Sequence, residues 1–291
     1  MECILNQVDP RFEPMQGFKY RLSILLCPDR FSFLVTHAST CKLLKLSSYI
    51  LDSTDIQKAE TGGWPTIGDD YFGNLSTLDS GQLLCQRVDI AVVSSKITIA
   101  PPGYSKRSNM QKLMAAAFPY NADEEMLTEV LADNGPVSAV LVPRYVPEYC
   151  SSLFPGSFLR SAVALSLKGI MLRHSQFLPR QVFVNIYPQH FEMTVIQGSR
   201  LLYLNAFRYS SPSDVLYYVI FVMEQLGFEL SEQEITLMGD VSQNSAIYGQ
   251  LKMYCASLRF IEKPEGIDYG DAFEGIAMHN YFTLLNMPIC E

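Results

Sequence analysis

The clearest pattern of apolar and polar positions in the chain occurs twice. Leu22–Phe33 reads LSILLCPDRFSF and Val182–Met193 reads VFVNIYPQHFEM. Leu22, Ile24, Leu26, Pro28 and Phe31 thus stand 160 residues before Val182, Val184, Ile186, Pro188 and Phe191. The match resumes with KLLKLSSY at Lys42–Tyr49 against RLLYLNAF at Arg200–Phe207, now at an offset of 158. The two-residue difference falls in the turns His37–Cys41 and Gln197–Ser199, where chain length changes at little cost. Apolar runs of strand length, broken by Pro and polar residues, predict three strands per copy. They are Tyr20–Leu26, Phe31–Thr36 and Lys42–Ser48 in the first copy. In the second they are Val182–Tyr187, Phe191–Ile196 and Arg200–Phe207. Each triplet is a meander, and the repetition is a duplication.

After the second meander, Ser211-Pro212-Ser213-Asp214 predicts a helix start: a Ser cap, Pro at the first helical position and a carboxylate three residues after the cap. The helix runs to about Leu226 and stops at Gly227. It is apolar nearly all round, which predicts burial between a sheet and a further layer. A strand at Glu234–Met238, a helix within Ser242–Cys255 and a strand at Leu258–Ile261 complete a β-β-β-α-β-α-β unit. The first half is less regular. Leu51–Gln86 is polar and reads as an insertion or a long loop. Val88–Val93 and Lys96–Ala100 read as a hairpin around Ser94-Ser95, and Asn109–Ala117 and Asp123–Ala132 as helices. Val137–Val142 reads as a buried strand, Ser157–Arg173 as a helix, and Ala272–Met287 as a helical tail. The division expected is a first lobe over 1–178 and a second over 179–291, with the tail packing back on the first.

The composition is that of a protein with a substantial core: 48% hydrophobic and 18% charged over 291 residues. Thirty acidic against 22 basic residues give a net charge of −8, which argues against a nucleic-acid partner and against docking on anionic lipid. The start, MECILNQVDPRFEP, lacks the basic and apolar regions of a signal peptide. The longest apolar run, Val215–Met223, ends at Glu224, well short of the roughly 20 residues of a membrane span. A soluble, cytoplasmic protein is expected. Seven cysteines with no CxxC pair predict free thiols, with neither a disulfide framework nor a zinc site.

Two copies of such a unit joined by helices resemble the actin-like ATPase fold, whose lobes are ribonuclease-H-like. With KITIAPPGY at Lys96–Tyr104, VSAVLVPRYVPEYCSSLFPG at Val137–Gly156 and HNYFTLLNMPICE at His279–Glu291, the chain resembles a bacterial family of unknown function assigned to that fold. More distantly it is similar to the cytoplasmic assembly proteins of type IV pili and type II secretion, which share the fold and often act by holding partners.

The resemblance also says where nucleotide chemistry would sit. Active actin-like proteins place an Asp and a Gly-rich turn between the first two strands of each lobe. Backbone N–H groups must approach phosphate without a Cβ in the way, and a carboxylate must hold the metal or its water. The first turn here, Cys27-Pro28-Asp29-Arg30, keeps one carboxylate but has no Gly, and Pro28 removes a donor. The second, Tyr187-Pro188-Gln189-His190, has neither Asp nor Gly. The adenosine-side turn, Leu237-Met238-Gly239-Asp240, has one Gly instead of a pair. Asp29, His190, Gly239 and Asp240 are therefore candidates for a vestigial inter-lobe cleft. Glu192, just past the second turn, reads as the solvent side of an alternating strand. His279 reads as packed in the tail, and His37 and His174 have no partners at ligand spacing. Trp64, within TGGWP at Thr61–Pro65, is a candidate partner contact. GxSxG, HExxH, GxxxxGK[ST] and GxGxxG are all absent.

The expectation is an α/β protein of two ribonuclease-H-like lobes with degenerate nucleotide motifs, bound to no cofactor and acting as a scaffold for another protein. The alternative is nucleotide binding or phosphotransfer with atypical phosphate loops, using Mg²⁺-nucleotide held near Asp29 and Asp240. A homodimer formed through a sheet edge or the Trp64 loop is a third reading.

Overall fold

A computed structural model of the chain describes residues 2–50, 85–119, 121–131, 135–173 and 180–290. The polar insertion up to residue 84, with Trp64, and His174 lie outside these residues.

The first meander forms as β2 (Tyr20–Leu26), β3 (Arg30–His37) and β4 (Leu43–Ile50), following β1 (Glu2–Val8). Strand β5 (Arg87–Val92) pairs parallel with β2. The second meander is β10 (Gln181–Ile186), β11 (His190–Gln197) and β12 (Arg200–Arg208), and β13 (Glu234–Gly239) pairs parallel with β10. The lobes carry the same strand order. One sheet runs β1-β4-β3-β2-β5-β9, with β9 at Phe158–Ser161. The other runs β12-β11-β10-β13-β14, with β14 at Ser257–Phe260. The duplication extends to packing. Phe31 stacks on Tyr49 at 4.9 Å, and their counterparts Phe191 and Phe207 stack at 5.4 Å. Both meanders shift register at the equivalent step, Val35/Thr36 and Val195/Ile196.

The predicted hairpin of Val88–Val93 and Lys96–Ala100 does not form. β6 (Ile97–Ala100) leaves the β5 sheet for a separate three-stranded sheet, β6-β8-β7, with β7 at Glu124–Val130 and β8 at Val137–Pro143. Helix α1 (Arg107–Ala117) packs on it through Met110 and Met114. The expected helix at Asp123–Ala132 is this strand β7. Its residues are good helix formers, but full-length antiparallel pairing with β8 decides the outcome. Helix α2 is Tyr145–Leu153. The expected helix over Ser157–Arg173 is instead β9 followed directly by α3 (Ala162–Arg173). No Gly or Pro separates them, so the join left no mark in the sequence.

Helix α4 spans Pro212–Gln225, and Asp214 accepts from the Ser210 and Ser211 N–H groups as its start predicted. It is not buried all round. Val215, Val219, Val222 and Met223 face the sheet, while Tyr217 is 62% and Phe221 45% exposed. The next helix, α5, is confined to Ala246–Lys252. The tail is not one helix but two 3₁₀ turns, Asp271–Phe273 and Met278–Tyr281, and a short α6 (Phe282–Asn286).

Helices α3 and α6 lie between the two sheets. Ala162 and Leu165 join Leu284 and Leu285 in the core cluster of the first sheet. Leu167, Ile170 and Phe282 join Phe183 and Met238 in that of the second. Polar residues hold the two helices together: Ser166 meets Thr283 at 2.6 Å, and the Asn286 amide lies over Gly169, where a Cβ would collide with it. Both sheets are therefore covered on two faces, so a strand position that alternates away from one layer meets another instead of water.

Candidate functional site

The two meander turns meet at the junction of the lobes. Each is closed by the same bond: Cys27 N–H donates to the Arg30 carbonyl at 2.8 Å, and Tyr187 N–H to the His190 carbonyl at 2.9 Å. Those donors are thereby used, Pro28 and Pro188 have none, and the Asp29 carboxylate accepts from its own backbone N–H. Few amides remain to cradle an anion.

Asp29 and Asp240, two of the sequence candidates, are joined through Arg30. Its guanidinium lies 3.0 Å from Asp240 at the end of β13 and 3.5 Å from Asp29. Burial pushes the Asp29 carboxyl above its ordinary value, and the Arg30 charge opposes that shift. One arginine thus serves two carboxylates from different lobes, at the point where a metal ion or its waters would have to compete.

His190 is the counterpart of Arg30 in the second copy. It is 4% exposed and stacks on Tyr187 at 4.9 Å. Burial, with the Arg208 charge adding to it, pushes its pKa down to about 3, so the ring is neutral at physiological pH. Tyr187 is the counterpart of Cys27 and fills the junction. It lies in the core cluster of the first sheet beside Cys27, and its hydroxyl accepts from Asn185 Nδ2 at 2.9 Å and bonds Thr283 of the tail. Gly239 is required for packing. At φ +81°, its missing Cβ would strike the Ile186 carbonyl oxygen of the neighbouring strand.

Sequence reasoning missed Glu192. It is not on the solvent side but 3% exposed, paired across the ladder with Asn185, whose Nδ2 donates to Glu192 Oε2 at 3.1 Å. Glu192 Oε1 and His190 Nε2 have no partner among the described residues. Burial raises the Glu192 carboxyl to about 8, with the Asn185 bond opposing. The alternation that seemed to expose it places it toward the α3–α6 layer. Phe282 packs on Phe183 and Ile196, and Thr283 bonds Tyr187, contacts so distant along the chain that they leave no local signal.

The paired turns divide the junction into two small cavities of about 30 and 80 Å³, with Cys27, Tyr187 and Pro188 lining both. Ligand pockets commonly measure about 300–1,000 Å³, so these have room for a few waters. Among the described residues no group of three or more His, Cys, Asp or Glu side chains is placed to hold a metal ion. The residues present do not fit Mg²⁺-nucleotide: Arg30 occupies both carboxylates, the Cys27 and Tyr187 amides are used, and the two cavities are far smaller than a nucleotide. His279 packs as expected, against Phe260 at 4.1 Å and with Nε2 2.8 Å from the Val241 carbonyl. All seven cysteines are free.

A family model described as "Protein of unknown function (DUF3822)" matches residues 9–258. The chain belongs to this family. No curated protein matches. Among solved structures, the family member is similar to a Bacteroides thetaiotaomicron protein with an actin-like ATPase fold and unknown function. The TM-score is 0.73 at 17% identity, over 86% of this chain and 93% of that one. It is also similar to the structure described as the PilM–PilN type IV pilus biogenesis complex, with TM-score 0.66 and 11% identity, over 93% and 96% of the two chains. The fold is thus the actin-like ATPase fold. No helix among the described residues is long and apolar enough to cross a membrane.

Proposed function

We propose that this protein acts by binding another protein, as a scaffold, and turns over no nucleotide. The observation that carries this reading is the junction between the lobes. Arg30 clasps Asp29 and Asp240, and the Tyr187–His190 stack fills the space beside them. Two lobes held by buried side chains make a rigid body with large outer surfaces, which suits positioning a partner better than cycling between open and closed states. The likeness to a structure described as a complex of PilM with PilN supports a protein partner, as a matter of fold alone.

The test uses purified protein and partners recovered by cross-linking in cells. A stoichiometric complex that re-forms from purified components without nucleotide supports the reading. ATP-dependent phosphate release abolished by Asp29→Ala would overturn it in favour of phosphotransfer.

A further inference from the structure

Helix α4 carries an aromatic ridge on the side turned away from its sheet. Tyr217 and Phe221, one turn apart, stack at 6.3 Å with their rings 16° from parallel, and they are 62% and 45% exposed. Tyr217 also meets Tyr218 edge-on at 5.3 Å, and Tyr218 stacks on Phe207 of β12 at 4.6 Å. The exposed rings are thus held from beneath by the core, and a partner that covers them has little side-chain freedom left to remove. Aromatic side chains held in this way are the type of residue that anchors protein interfaces.

Charge decides among the occupants. Helical spacing puts Asp214 and Glu224 on the side of the ridge, one at each end, and the helix contains no Lys or Arg. Neither carboxylate has a basic side chain within ion-pair distance among the described residues. A second copy laid on this face, parallel or antiparallel, sets carboxylate against carboxylate at both ends. Residues 51–84 of the chain itself bring six carboxylates and one lysine, which is like charge again. An anionic lipid surface is disfavoured on the same ground. An extended peptide finds no backbone partner along a helix, whereas a second helix has its own backbone bonds complete and fits its side chains beside the ridge. We infer that the outer face of α4 docks an amphipathic helix of a protein partner. Its apolar stripe covers Tyr217, Ile220 and Phe221, and Lys or Arg at its two ends meets Asp214 and Glu224. The inference rests on the protein-binding reading and assigns its site.

The test places the photocrosslinker benzoylphenylalanine at position 217 of the full chain in cells and maps the joined residues by mass spectrometry. The complex is then rebuilt from purified components. Expected is a cross-link to a helix of another protein, with apolar residues at helical spacing and basic residues flanking them. Tyr217→Ser and Phe221→Ser should each weaken that complex about thirtyfold. Glu224→Lys should weaken it about fivefold. Tyr217 is mostly exposed, so Tyr217→Ser should melt as wild type does. Glu224→Lys removes no packed ring and decides the matter if the ring variants fail to fold. A cross-link only to a second copy or to residues 51–84, or no cross-link, overturns the inference. So does sedimentation with phosphatidylglycerol vesicles that is lost in Tyr217→Ser. If the purified complex is indifferent to all three substitutions, the inference falls while the protein-binding reading stands. If no partner complex re-forms from purified components, both fall.

Discussion

Replacing Glu192 by Gln should stabilise the protein, and do so more as pH rises toward 8. The carboxyl titrates near 4.5 when unfolded but is held protonated by burial to about 8 in the fold. Between those values the folded state carries a proton that the unfolded state has released, so unfolding releases a proton and rising pH favours it. Below 4.5 both states are protonated and the effect vanishes. Above about 8 both are ionised and the loss is complete. Each unit is worth about 1.4 kcal/mol, so the penalty reaches about 3 kcal/mol at pH 7 and about 5 kcal/mol above pH 8. Gln keeps the shape and the bond from Asn185, and it removes the titration. His190 works in the opposite direction. Held neutral down to about 3, it loses stability as pH falls below 6.5, so in wild type the two slopes cancel between 4.5 and 6.5. The Glu192 slope therefore stands alone between pH 6.5 and 8. The assay is urea unfolding of wild type and Glu192→Gln from pH 5 to 8.5. The stability difference should grow by about 1.4 kcal/mol per unit and level off near pH 8. A difference that is constant with pH, or a variant less stable than wild type at pH 8, would refute a buried, proton-holding Glu192.

Arg30→Met should destabilise by about 3 kcal/mol in urea unfolding because it leaves Asp29 buried without its counter-charge, and the double variant with Asp29→Asn should recover most of that. Gly239→Ala should cost about 3 kcal/mol or prevent folding, since the backbone needs φ +81° and the Cβ meets a fixed carbonyl; circular dichroism melts would read this. Tyr187→Phe should cost about 1–2 kcal/mol through the lost bonds to Asn185 and Thr283. The His190 imidazole proton signals should not titrate between pH 5 and 8.

The duplication was readable because both copies keep apolar positions at fixed spacing, and those positions are the ones that pair and stack in the two meanders. The turns were readable for the same reason: Pro at one position of each removes a donor wherever the chain goes. What could not be read depends on distant partners. β7 is a strand because β8 lies beside it, and β9 because β5 does. α4 shows an apolar outer face because the layer that its composition predicted is not there among the described residues. Glu192 is buried because the tail returns between the sheets. Asp29 and Asp240 could be nominated separately, but Arg30 joining them across 210 residues needed the fold.

The most direct measurement is thermal unfolding with and without millimolar Mg-ATP, Mg-ADP and Mg-GTP. A nucleotide present at about 100 times its dissociation constant would add about 2.7 kcal/mol, a rise of about 5–10 °C for a protein of this size. With the junction closed by Arg30, Tyr187 and His190, the melting temperature should not move. A rise of several degrees, lost in Asp29→Ala, would mean that the junction opens to nucleotide and that the account of a closed cleft is wrong.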